Sequence, residues 1–155
     1  MATLAAYSFM NIQCSLSGPS IQASLGYGAM NAKEGIAFEM LEDKDMMLVG
    51  ADGGIMHSLR MGNGARFSVR LLKTSPVNNT LSMAYNYQRL NAGFWGQNTL
   101  VVSDVQRGDL VAGTQVAFAR HPGITWAEDG GMNEWTFYGS VTAPLLGLGT
   151  FDVNL

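Results

Sequence analysis

The chain has 155 residues, nine basic and twelve acidic side chains, a net charge of −3, and only 14% charged against 47% apolar residues. That length predicts a single domain, 1–155, able to bury its own core without a metal, and the lone Cys14 excludes an intrachain disulfide. The acidic balance excludes the dense basic patch that binds nucleic acid regardless of sequence, and no apolar run is long enough to anchor the chain in a membrane.

Residues 8–16 alternate, with Met10, Ile12, Cys14 and Leu16 on one face and Asn11, Gln13 and Ser15 on the other, which predicts a half-buried strand. The turn Ser17-Gly18-Pro19-Ser20 leads into a second alternating stretch over 21–25, and the two read as a hairpin. Residues 26–35 read as a loop. Ile36, Phe38 and Met40 then mark a third strand with Glu39 on its other face, interrupted by Glu42-Asp43-Lys44-Asp45. Residues 46–49 and 55–61 pair as fourth and fifth strands across Asp52-Gly53-Gly54, whose glycines supply the positive φ of a tight turn. This hairpin, about 44–64, is expected to form an arm. Gly62-Asn63-Gly64 reads as a second tight turn into a strand over 65–73, with Phe67, Val69 and Leu71 opposite Arg66, Ser68 and Arg70.

A helix is predicted from Pro76 to about Leu90. Thr74 or Ser75 caps it, Pro76 suits its first turn, and Val77, Leu81, Ala84, Tyr85 and Gln88 share one face; Gly93 is the expected stop. Strands over 98–105 and 110–120 flank the loop Arg107-Gly108-Asp109. A last strand over 133–141 turns Trp135, Phe137, Gly139 and Val141 inward, and a short apolar tail follows over 144–155. Many short strands and one helix predict a mainly β (α+β) sandwich or barrel with the helix packed on its side. Such sparse charge also suggests a surface covered by neighbouring copies.

The residues do not assemble a catalytic set, and no enzyme, cofactor or metal is expected. His57 lies within an alternating strand and reads as a packing or interface residue; His121, before Pro122-Gly123, reads as a turn residue. Cys14 falls on an apolar face and reads as inert core. The acidic clusters Glu42-Asp43-Asp45 and Glu128-Asp129 lack the spacing of a calcium loop, and Gly26-Tyr27-Gly28 lacks the context of a nucleotide loop. The N-terminal Met1 to Ala6 lacks the charged start of a signal peptide, so synthesis and assembly in the cytoplasm are expected.

Four segments together carry a resemblance: Tyr7-Ser8-Phe9, the block from Ala51-Asp52-Gly53 through Arg70-Leu71-Leu72-Lys73-Thr74-Ser75-Pro76-Val77-Asn78, Phe94-Trp95-Gly96-Gln97-Asn98, and Asp129-Gly130-Gly131. The sequence resembles the contractile-tail tube proteins of bacteriophages, a family related to the tube of type VI secretion. The resemblance implies a virion structural subunit whose hexameric rings stack into a conduit for DNA and the tape-measure protein, inside a sheath. On that reading Met46, Met47, Asp52, Gly53, Gly54, Met56 and Met61 are expected at the contact between rings. Gln13, Ser15, Gln22, Ser24 and Glu39 are expected to face the lumen, while Arg66 and Arg70 join subunits through carboxylates such as Glu134. Two alternatives stay open: a tail terminator or baseplate ring, and a small ligand-binding β-barrel module.

Overall fold

The computed structural model describes residues 3–4, 6–149 and 151–152. Among them the strands are β1 (Thr3–Leu4), β2 (Ile12–Gly18), β3 (Ile21–Ser24), β4 (Asn31–Met40), β5 (Asp45–Val49) and β6 (Ile55–Leu59). β7 (Gly64–Leu72) precedes the helix α1 (Val77–Gln88), and β8 (Asn98–Asp104), β9 (Asp109–Arg120), β10 (Met132–Ser140) and β11 (Phe151–Asp152) follow it. The mainly β architecture with one packed helix is the expected one. Seven strands form one antiparallel sheet in the order β3-β2-β8-β9-β10-β7-β4, while β5 and β6 form a ribbon of their own and β1 pairs with β11. The large sheet does not close among the described residues: β3 and β4 are its two edges.

Strict alternation builds the core. In β7, Ala65, Phe67, Val69 and Leu71 are buried while Arg66, Ser68 and Arg70 lie on the opposite face. The same phase puts Leu16, Leu100, Phe118, Trp135 and Phe137 inside. β9 lies between β8 and β10 and changes phase within its length. Asp109 to Gly113 and Val116 pair with β8, while Thr114, Ala117, Phe118 and Arg120 pair with β10, and Gln115 takes a positive φ of 53° at the bulge between Gly113 and Val116. Val111 and Gly113 therefore face inward before this bulge, and Val116 and Phe118 after it. Gly113 is required there because a Cβ would come within 2.8 Å of the Phe67 ring.

The helix closes the core from one side. Leu81 and Ala84 are buried, and Tyr85 meets Phe118 edge to face at 5.7 Å. Ser75 is the effective cap of the two candidates: its Oγ accepts from the Val77 N–H at 3.3 Å and donates to the Ala29 carbonyl at 2.7 Å. At the other end Gln88 and Asn98, both fully buried, satisfy each other through paired amides at 2.8 and 2.9 Å, and Gln88 also donates to the Pro19 carbonyl at 3.0 Å.

Four local expectations are corrected. The first strand begins only at Ile12, because Phe9–Asn11 form a 3-10 turn capped by Ser8; Met10 is consequently exposed rather than inward. The expected loop over 26–35 is strand from Asn31 onward. Asn31 faces Leu71 and Ile36 faces Val69, so β4 carries surplus residues between them, and Gly35 absorbs the distortion with φ 65°. Gly62-Asn63-Gly64 is not a tight hairpin turn: β6 pairs with β5 and β7 with β4 and β10, and neither flanking glycine has positive φ. Gly93 does not stop the helix, which ends at Gln88; Gly93 donates instead to Asn91 in a following turn. The tail is tied down as far as Gly149 by a Leu110–Leu145 bridge and by Arg107 donating to the Gly149 carbonyl. The expectations for Met1, Ala2, Ala5, Thr150 and 153–155 lie outside the described residues.

Candidate functional site

Across from the helix, the seven-stranded sheet turns its polar face outward. Cross-strand register sets Glu39 of β4 beside Arg66 of β7, and Arg66 beside Tyr138 of β10. Ala37, Ser68, Thr136 and Arg120 form the next row, and Arg70 and Glu134 stand opposite each other in a third. These side chains line an open groove of about 610 Å³. Two ion pairs span it: Arg66 Nη2 with Glu39 Oε1, and Arg70 Nε with Glu134 Oε2 at 3.0 Å. All four groups are partly solvated, so each pair adds at most about 1 kcal/mol to stability. The greater consequence is that two guanidinium charges are neutralised where they stand.

Sequence reading separated Glu39, on the lumen, from Arg66 and Arg70, at subunit contacts with Glu134. The structure brings all four onto one face and pairs both arginines within the chain. The reason is the register of β4 on β7, which a period-two pattern in each strand alone does not reveal. Arg120, Tyr138, Ser68 and Thr136 complete the groove and were not singled out. For Ser68, Thr136 and Tyr138 the signal was their position on the polar side of strands whose inner residues were identified; the strand of Arg120 had no face assigned. Gln13, Ser15, Gln22 and Ser24 lie exposed on β2 and β3 at the far end of the sheet. Ser15 and Ser24 are cross-strand partners beside a second open groove of about 330 Å³ that includes Gln13, Tyr27 and Ser103.

The β5–β6 ribbon is exposed along its whole length. Met46, Met47, Leu48 and Val49 on one strand, and Ile55, Met56 and Leu59 on the other, put apolar surface on both faces; Met61 follows, 79% exposed. An isolated two-stranded ribbon is marginal in water, and this one lacks a covered side. Its tip is tight: Gly53 takes φ 89°, and Asp52 Oδ1 accepts from the Gly54 N–H at 3.0 Å. At its base Lys44 donates to the Gly62 carbonyl and to Asn63 Oδ1, which fixes the joint between ribbon and sheet.

A polar, charge-paired sheet face, a helix on the other side and an apolar projecting ribbon suit a subunit that associates with its own copies. The profile of the family described as bacteriophage PhiTE tail tube protein matches residues 4–147. The chain belongs to that family. No curated protein sequence matches it. Membership in the tail tube family assigns a structural role in the virion tail and self-assembly into a tube.

In this tail tube subunit the two histidines differ in setting. His57 meets Asp45 at 2.7 Å on the exposed ribbon. His121 is more than a turn residue: its ring packs against Tyr85 and Trp135 while Ser82 Oγ meets Nε2 at 3.0 Å, tying helix to sheet. Cys14 is buried, and desolvation pushes its thiol up to about 12. Trp135 is core and donates to Asn78, whereas Trp126 is exposed under the Lys73 ammonium at 5.5 Å. Among the described residues no cluster of three or more metal-ligating side chains occurs.

Proposed function

We propose that the chain is the repeating subunit of a tail tube made of stacked hexameric rings, with the outward sheet face lining the bore. The observation that carries this reading is the charge-paired polar face set directly opposite the helix. A passing polyanion needs a lining with little apolar surface and few free cations, and a hydrated face on which two of three arginines are neutralised has that character. The edges β3 and β4, unpaired among the described residues, suit lateral addition of neighbouring subunits, since cyclic closure would leave no edge exposed.

The β5–β6 ribbon carries the contact from ring to ring through Met46, Met47, Met56 and Met61 around the Asp52-Gly53-Gly54 tip. DNA and the tape-measure protein pass through the bore, and the helix side meets the sheath of a contractile tail during genome ejection. The role is structural rather than enzymatic, and assembly takes place in the host cytoplasm. Negative-stain microscopy and analytical ultracentrifugation of purified protein over a concentration series test the reading. Stacked rings or hollow tubes are expected. Single rings that never stack would make the protein a terminator or baseplate ring, and a monomer under every condition would overturn the proposal.

A further inference from the structure

We propose that Glu39 and Glu134 are charge guards: their carboxylates occupy Arg66 and Arg70 so that the groove cannot retain a phosphate backbone. The inference rests on the reading of this face as the bore. Three arginines, Arg66, Arg70 and Arg120, converge on the central row of Ser68 and Thr136, a group that without the carboxylates would make a basic patch suited to phosphates. The two glutamates come from the strands on either side of β7, and each stands at the register position opposite the arginine it binds. Arg70 is further restrained by donating Nη1 to the Glu34 carbonyl at 3.4 Å. Among the described residues only Arg120 of the three is left over, so the groove carries an excess of one positive charge instead of three. One exposed cation gives a weak contact that salt readily displaces, whereas three gathered in a groove would hold a strand and slow its passage. The arginines still contribute to the sheet, since their alkyl stems cover backbone and their heads tie three strands together.

Anisotropy of a fluorescent 30-base-pair duplex, titrated with full-length protein at low and at physiological salt, tests the proposal. E39Q/E134Q keeps side-chain shape and removes both guards. It is expected to bind about tenfold tighter than wild type at low salt, with a salt slope steeper by about two. Adding R66Q/R70Q to it should abolish the gain, and the swap E39R/R66E, which restores a pair, should bind as wild type does. If E39Q/E134Q fails to fold by circular dichroism, the single variants E39Q and E134Q are read in the same way, each with a smaller gain. Folded variants with no gain would overturn the proposal while leaving the bore assignment standing. Labelling of a Ser68→Cys variant in assembled tubes separates the two: reaction with a bulky reagent excluded from the bore would place this face outside and overturn both.

Discussion

Replacing Gln88 by Met keeps length and bulk and removes only the amide. Gln88 and Asn98 are both completely buried, and the exchange leaves three groups without partners: Asn98 Oδ1, Asn98 Nδ2 and the Pro19 carbonyl. A buried group deprived of its hydrogen bond costs about 1–3 kcal/mol. Pro19 lies at a turn where water can replace Gln88, so the two Asn98 atoms dominate and the loss should be about 3–5 kcal/mol. For a chain of this length that lowers the melting temperature by about 6–20 °C. Asn98→Leu should cost a similar amount, because it strands the Gln88 amide in turn. The double variant strands only the Pro19 carbonyl, so it should be more stable than the sum of the singles implies, by about 2 kcal/mol. Calorimetry on the four proteins, each in the same assembly state, measures the cycle. A Gln88→Met melt within 2 °C of wild type, on the order of the smallest shift expected from 1 kcal/mol, would refute the reasoning.

Leu81→Ala should cost about 2–5 kcal/mol by the same calorimetry, since the side chain is fully enclosed between helix and sheet. Deleting residues 46–61 and joining the ends with a short turn should leave a folded subunit, because the ribbon contributes nothing to the core, but should abolish stacking as seen by electron microscopy. Cys14 should resist thiol reagents at pH 8 until the protein unfolds. Because its folded value is raised from 9.0 to about 12, its contribution to stability is complete below pH 9 and falls away between pH 9 and 12, as the unfolded thiol ionises and the folded one does not. Denaturant titrations across that range should show the decline, and Cys14→Ala should remove that part of it.

The strand interiors were legible wherever alternation ran unbroken. Phe67, Val69 and Leu71 against Arg66, Ser68 and Arg70 needed only a period of two, and Leu81, Ala84 and Gln88 only the helical period. Alternation misled at Met10, in the 3-10 turn, and it gave no strand signal across the distorted start of β4, which read as a loop. The site was harder to read for a different reason. That Arg66 meets Glu39 depends on which strands are neighbours and in what register, and the ribbon separates those two residues along the chain. The Gln88–Asn98 pair is similar: helical spacing turned Gln88 inward, but nothing local named its partner.

The central claim is that the face bearing Glu39, Arg66, Arg70 and Glu134 lines the bore of a tube. Cryo-electron microscopy of assembled tubes at side-chain resolution tests it most directly. The account predicts those four residues on the inner wall, paired as Glu39 with Arg66 and Arg70 with Glu134, with α1 on the outer surface and the β5–β6 ribbon reaching the adjacent ring. A reconstruction with α1 facing the bore and the polar sheet face outward would contradict it.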